Sequence, residues 1–394
     1  MAAYIRKTNT FIDPKLLEFC ENTLDHKRYT ALLEYGTANK AGQMTGIDGK
    51  RYRELVIKLQ TVAAKRGYSP DHDMTHTAPS THIVKGTSTL YDGDGQIKQQ
   101  WVKTNIAEQE RLETLTEACK VLAEPYKGLS TNVPRPRTGG SQLLGLLPYG
   151  DPHLGMYSWS KETGSDFDCD IAERNLVGVT QELVRKMPVC DTAILLSLGD
   201  FFHADNSSNQ TSRSKHALDV DSRWARVMQI GIQAMRSCID SALKKHGKVL
   251  VVTMIGNHDD HSSVMLAKVL EAYYCKDKRV TVWENNSKFW YYRHGKVLLG
   301  STHGDTLKPT NMAAIMAHDA AKEWGLSTHR HVHTGHVHQK QIWELHGCTV
   351  ESHRTLAARD SWAHAAGYRS ARDMQAIIYH SELGETERYR VGVQ

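Results

Sequence analysis

Apolar and polar positions along this chain follow two rhythms, and the switch between them marks its organisation. Over residues 1–70 the rhythm is helical. Asp13-Pro14 opens a first helix, with Asp13 as capping side chain and Pro14 at the first helical position. Leu16, Leu17 and Phe19 give that helix an apolar side. A second helix is expected over about 27–35 and a short one over 37–45, before a tight Gly46-Ile47-Asp48 turn. A third covers 49–66, where Tyr52, Leu55, Val56, Leu59, Val62 and Ala63 share one face at helical spacing. A Pro-bearing polar connector fills 71–80. The rhythm then becomes two-residue alternation over His82–Tyr91 and Gln96–Lys103, with Asp92-Gly-Asp-Gly95 between them as a hairpin signal. A helix is expected at about 106–124, then a stiff and afterwards flexible segment around Asn132–Gly140.

From 142 onward short apolar runs alternate with helical patterns. Strands are expected at Leu143–Tyr149, Ala193–Leu198, Val249–Ile255, Val280–Trp283, Phe289–Tyr292 and Val297–Gly300, and as a hairpin over 340–346 and 348–354. Helices are expected at about 170–187, 216–246, 262–274 and 311–324. The pattern divides the chain into a helical region (1–70), a hairpin-plus-helix connector (71–130), a linker (131–141) and an α/β domain (142–394). At 394 residues there is room for two or three domains.

Composition narrows the class. The chain is 40% hydrophobic and 24% charged, ordinary for a soluble globular protein, and no apolar run reaches the roughly 18–20 residues of a membrane span. The N-terminus, Met-Ala-Ala-Tyr-Ile-Arg-Lys, does not read as a signal peptide. Seven widely spaced Cys with no Cys-x-x-Cys argue against a disulfide framework or a thiolate zinc site, and suit a reducing cytoplasm. A net charge of +5 is compatible with nucleic acid without demanding it. The 22 His weigh more, because imidazole is the commonest transition-metal ligand.

Five short motifs then fall in order, each just after an expected strand or in the turn that leaves one: Asp151-Pro-His153, Gly199-Asp200, Gly256-Asn257-His258-Asp259, His303-Gly304 and Gly335-His336-Val337-His338. Loops at the carboxyl ends of sheet strands are where open α/β folds bind ligands. Asp151 and His153, two apart on one loop, can chelate a single ion. His336 and His338 straddle Val337, so an extended backbone points both imidazoles one way. Asn257 offers a neutral oxygen and His303 a further nitrogen. A mixed N/O set without thiolate suits Mn²⁺, Fe²⁺ or Zn²⁺ better than Ca²⁺ or Mg²⁺ alone.

These five blocks in this order resemble the calcineurin-like metallophosphoesterase superfamily, over about residues 143–380. The resemblance implies a β-sandwich flanked by helices (αββα) holding two divalent metal ions, with Mn²⁺ the leading choice and Fe²⁺, Zn²⁺ or Mg²⁺ as alternatives. Asp151, His153, Asp200 and His338 would serve one ion; Asp200, Asn257, His303 and His336 the other, with Asp200 as the bridge. It further implies a metal-bridging hydroxide as nucleophile, His258 facing the substrate phosphate, and Asp259 orienting His258. Asp151-Pro-His-Leu-Gly155 and Gly199-Asp-Phe-Phe-His203 are similar to the matching blocks of SbcD-type repair nucleases, which implies that His203 assists DNA cleavage. His303-Gly304-Asp305 looks more like the block of the superfamily's phosphatases. A helix-turn-helix-like region ahead of the catalytic domain resembles the phosphoesterases of tailed bacteriophages, which would place the protein in a host cytoplasm.

The expected function is therefore hydrolysis of DNA phosphodiester bonds, as an exo- or endonuclease. DNA is the expected partner, no membrane is involved, and a homodimer is compatible. The alternatives are a protein phosphatase or cyclic- or small-nucleotide phosphodiesterase, and a DNA-binding assembly factor with a vestigial metal site. Lys50, Arg51 and Arg53 on the third helix are the candidate DNA contacts, against the plainer reading of a solvated charged face.

Overall fold

The computed structural model describes residues 3–5, 10–20, 22–74, 77, 82–94, 97–106, 119–120, 123–134, 136, 142–211, 215–284 and 287–393. The chain divides into two compact units, Met1–Glu113 and Thr114–Gln394.

In the first unit, β1 (Ala3–Ile5) pairs antiparallel with β2 (Thr10–Ile12), and a 3₁₀ turn spans Pro14–Phe19. Asp13 caps that turn by accepting from the Lys15 amide at 2.9 Å. Helices α1 (Thr23–Tyr35), α2 (Ala38–Thr45) and α3 (Gly49–Lys65) follow. Gly46 ends α2 in the left-handed region (φ 72°), and Asp48 caps α3. Gly42 lets the turn fold back on α2: a Cβ there would lie 2.6 Å from the Ile47 carbonyl oxygen. Tyr29, Leu32, Ala41, Tyr52, Val56 and Leu59 close a small core. Helix, three-residue turn and longer helix is thus the arrangement of α2 and α3. A hairpin of β3 (His82–Tyr91) and β4 (Ile97–Ile106) follows, antiparallel with two register shifts. Most of the helix expected at 106–124 lies outside the described residues.

The second unit is an α/β sandwich. Its six-stranded sheet has the order β15 (Gly384–Gly392), β14 (Asp373–His380), β5 (Leu143–Tyr149), β6 (Thr192–Ser197), β7 (Lys248–Thr253), β8 (Val280–Val282). Its five-stranded sheet has the order β12 (Gln341–Leu345), β13 (Cys348–Ser352), β11 (His329–Thr334), β10 (Val297–Ser301), β9 (Trp290–His294). Strands β5, β6 and β7 are apolar on both faces because both are covered. Leu144, Leu146, Ile194, Leu196 and Val252 meet Trp290, Val297 and Leu299 between the sheets. Leu147, Ala193, Leu195, Val249 and Val251 face the helices α4 (Cys169–Lys186), α5 (Trp224–Leu243) and α6 (Ser262–Tyr274). Helix α7 (Pro309–Asp319) covers the outer face of the five-stranded sheet through Met312 and Met316.

Several expectations differ from what is observed. The helix expected at 216–246 begins only at Trp224, because the preceding segment is drawn into bridges, Ala217 with Gln210 and Val220 with Met156. The helix expected at 311–324 breaks at Ala320 (φ −112°, ψ 43°). Strands β14 and β15 carry no expectation at all. The division between units at 113/114 precedes the 131–141 segment. Residues before that segment belong with the second unit: Gly128 N–H donates to Ala272 O at 2.8 Å, and Val133 is buried in its core. All seven Cys are free thiols. Among the described residues no helix is long and apolar enough to cross a membrane.

Candidate metal centre

The parallel strands β5, β6 and β7, and β10 with β11 in the facing sheet, all end at the same edge of the sandwich, each delivering one motif. The backbone turns sharply there. Asp151, His153, Asp200, His336 and His338 all have positive φ, between 43° and 66°. Each such residue costs on the order of 1–2 kcal/mol relative to ordinary backbone. Strain concentrated on functional side chains is a mark of a built site. The motif glycines permit the crowding. A Cβ on Gly256 would overlap the Asp200 carboxylate, and one on Gly335 would lie 2.5 Å from Asp151 Oδ2.

Two adjoining groups of donors result, and a third, His153, His203 and His258, shares His153 with the first. Asp151, His153 and His338 form one; Asp200, His303 and His336 form the other; within each group the ligand atoms lie within 4.8 Å of one another. Asn257 Oδ1 sits 3.0 Å from His303 Nε2, which is itself 3.2 Å from Asp200 Oδ2. Asp151 is fully buried, with both oxygens accepting from the His336 amide at 2.9 and 3.0 Å. His153 Nε2 and His338 Nε2 face each other at 3.1 Å. His303 Nδ1 donates to Leu198 O at 2.8 Å, which turns Nε2 toward Asp200.

The electrostatics fit a cation. Burial drives His153 well below the ordinary imidazole range and His338 down to about 4, so both rings are neutral, as ligands must be. Burial likewise pushes Asp151 up to about 7, because nothing fully offsets its charge. At His303 burial acts downward, but the carboxylates of Asp200 and Asp151 prevail and raise it to about 10. Without metal the site thus places a proton on His303, where a metal would supply positive charge. His203, almost wholly buried, turns Nδ1 toward His153, and its Nε2 has no hydrogen-bond partner among the described residues. Two carboxylates, four imidazoles and an amide oxygen, with no thiolate, suit a pair of first-row divalent ions.

Around this core, His258 is half-buried. Its amide donates to Asp200 Oδ1 at 2.8 Å, and its Nδ1 donates to His203 O at 2.8 Å. The His203 and His258 rings stack at 5.2 Å, and His203 Nδ1 lies 3.2 Å from His153 Nδ1. Asp259 differs from expectation. Its buried carboxylate accepts from the amides of Asp200, Phe201, Phe202 and Gly256 at 2.8–3.3 Å. It therefore holds the backbone of the Asp200 loop, and the His203 carbonyl holds the ring of His258. The candidate DNA contacts are in the other unit: Lys50 and Arg51 are exposed, while Arg53 donates to Asn39 Oδ1 at 3.0 Å.

One further cluster lies outside the five motifs. His333 is buried beside Glu351 and His353, and His331, two residues earlier on the same strand, is half-buried. The cluster's only sequence signal is alternation of His residues along β11.

No protein-family model and no curated protein matches the chain. Solved structures do. The chain is similar to a predicted phosphoesterase from Streptococcus pneumoniae TIGR4, at 11% identity over 60% of this chain and 83% of that one, with a TM-score of 0.27. It is similar to a novel archaeal phosphodiesterase, at 13% identity over 64% of this chain and 99% of that one, TM-score 0.31. It is also similar to Vps29 complexed with Zn²⁺ from Entamoeba histolytica, at 12% identity over 63% and 98%, TM-score 0.26.

Proposed function

We propose that this chain is a dinuclear-metal-dependent phosphodiesterase whose substrate is DNA. The observation that carries the reading is the pair of adjoining donor groups, Asp151/His153/His338 and Asp200/His303/His336, with Asn257 beside the second. Asp200 would be the carboxylate that both ions share. Two ions held about 3.5–4 Å apart supply Lewis acidity and a nucleophile at neutral pH for in-line displacement at phosphorus.

The chain's own residues do the rest. Asp259 fixes the Asp200 loop through three amides and its own loop through that of Gly256, so the Asp200 carboxylate needs no reorganisation as substrate binds. His258 has Nδ1 committed to a carbonyl, so its Nε2 edge is the one left to meet substrate. In its protonated form Nε2–H donates to a phosphoryl or leaving oxygen, where charge develops. His203, stacked on that ring, keeps His258 from swinging away and adds a buried nitrogen toward the same space.

DNA as the substrate is supported by the nuclease-like Gly199-Asp-Phe-Phe-His203 block and by exposed Lys50 and Arg51 on a helix that follows a tight turn. The His303-Gly304-Asp305 block favours the second reading, a phosphatase or small-nucleotide phosphodiesterase. The test is hydrolysis of labelled single- and double-stranded DNA by purified protein with Mn²⁺, beside cyclic nucleotides and phosphopeptides. DNA cleavage that Asp200→Asn abolishes is expected. Rapid turnover of the small substrates with intact DNA would replace the first reading by the second.

A further inference from the structure

The five ligand residues with positive φ pose a question of support, since strained backbone persists only where its surroundings over-determine it. Much of that support comes from one short segment, residues 353–355. The His353 amide donates to Thr334 O at 2.9 Å, at the root of the turn that carries His336 and His338. Thr355 Oγ1 donates to Asp151 O at 2.6 Å, and Thr355 forms a parallel bridge with Gly150. Both metal-binding turns of the first donor group therefore lean on this segment.

The segment is in turn tied across the sandwich. His353 Nε2 and His333 Nδ1 share a hydrogen bond of 2.9 Å, and His333 Nε2 pairs with Tyr379 Oη at 3.1 Å. Tyr379 belongs to β14 of the opposite sheet. Two residues before His353, Glu351 is gripped through both oxygens by Arg388 of β15, at 2.5 and 2.9 Å. His333, Glu351, His353 and Tyr379 are each at most 3% exposed. Burial holds His353 at about 4 and His333 well below the ordinary range, so both rings are neutral and the bond between them is directional. Leucines would fill this space too, but they would not fix the rotation of each side chain. His333, Glu351 and His353 are close enough to one another for an ion, within 4.8 Å. Arg388 on both carboxylate oxygens, and Tyr379 on the far nitrogen of His333, make them a closed hydrogen-bonded set instead.

We propose that the Tyr379–His333–His353 ladder, braced by Glu351–Arg388, is a positioning device for the metal centre. It fixes the 353–355 segment, and through it the backbone of Asp151 and of the His336–His338 turn, in the ligand-presenting conformation. The inference rests on the reading of those residues as a metal centre.

The test is a triple variant, Tyr379→Phe with His333→Leu and His353→Leu. Removing all partners together leaves no unsatisfied group among them, which makes such exchanges nearly neutral for folding. Mn²⁺ binding by titration calorimetry and melting in EDTA are measured on the full chain. The expected result is an unchanged metal-free melting temperature with Mn²⁺ affinity about 10–100-fold weaker, the usual scale for residues behind metal ligands. Tyr379→Phe alone, which deletes one oxygen and is the safer variant for folding, is expected to weaken Mn²⁺ binding by about 3–10-fold. His353→Gln, which keeps a hydrogen-bonding side chain, is expected to recover most of the affinity. Wild-type Mn²⁺ affinity in both the triple variant and Tyr379→Phe overturns the proposal. So does a third metal equivalent that Glu351→Gln loses, since the cluster would then be an ion site itself. Absence of Mn²⁺ binding by the wild type would instead overturn the reading of the centre.

Discussion

His258 and Asp200 separate two jobs that the site combines. His258 donates its amide to Asp200 Oδ1 and packs its ring edge-on against His153 at 4.9 Å, while its Nδ1 is committed to the His203 carbonyl, so its ring is read as facing substrate and not as a metal ligand. His258→Ala is therefore expected to lower kcat by about 10²–10³-fold, the scale for one charge-stabilising donor. Elemental analysis should find the metal content unchanged; loss of metal would place the ring among the ligands. Asp200→Asn should weaken Mn²⁺ binding together with turnover, because a carboxylate oxygen beside His303 and His336 is replaced by an amide. Unchanged Mn²⁺ affinity in that variant would remove Asp200 from the ligand set. These residues stand out in the sequence because the five short blocks, in their order, resemble a known metal-binding pattern, and that resemblance implies a role for each. For Asp259 it implies a hydrogen bond that orients His258, but amides 57–59 residues away take the carboxylate. His333 and Glu351 were illegible as a cluster, because it depends on β11 and β13 lying side by side with His333 opposite Glu351.

The central strands of the larger sheet were readable from their sequence, and the reason lies in packing. Runs such as Leu143–Tyr149 and Val249–Thr253 are apolar throughout because sheet and helices cover both faces, which leaves little else for them to be. The start of α5 was not readable, since the segment before Trp224 has helical composition but is held elsewhere by Asp221, whose carboxylate accepts from the Cys169 amide. Between and behind the strands, buried imidazoles set a pH dependence. Burial lowers His246, His331 and His353 to about 4 each, against about 6.5 for an unfolded histidine. Between those values the unfolded chain binds more protons, so stability rises with pH across the window. This contribution is complete above about pH 6.5 and is lost as pH falls toward 4. Glu351 adds to it lower down. Burial opposes its charge, but His353 and Arg388 prevail and bring it to about 2, so its share is lost below the ordinary range near 4.3. Melting of the metal-free protein in EDTA is expected to drop steadily from pH 7 to pH 4. A flat profile over that range would mean that these rings are solvated.

At the scale of the molecule, the candidate metal centre and the candidate DNA contacts lie in different units, and this permits them to be tested apart. All candidate ligands lie within Thr114–Gln394, whereas Lys50, Arg51 and Arg53 lie on α3 within Met1–Glu113. A net charge of +5 spread over 394 residues gives little general attraction for a polyanion, so strand binding must come from local concentrations of cations. Lys58, which the helical pattern also offers, is drawn into a 2.7 Å ion pair with Asp25, and Lys50 has Glu54 at 3.8 Å one turn along. Arg53 in turn donates to Asn39, so Arg51 carries more of the expected DNA binding than a count of basic residues suggests. If α3 meets DNA, Lys50→Ala, Arg51→Ala and Arg53→Ala together should weaken binding to long duplex DNA. The slope of log K against log salt should shrink by about 0.9 for each phosphate that the variant no longer neutralises. Turnover of bis(p-nitrophenyl) phosphate, which offers no strand to hold, should stay at the wild-type value. A triple variant with unaltered salt dependence would make α3 a solvated charged face, and the choice between DNA and a small phosphodiester would then fall to the metal-bearing unit alone.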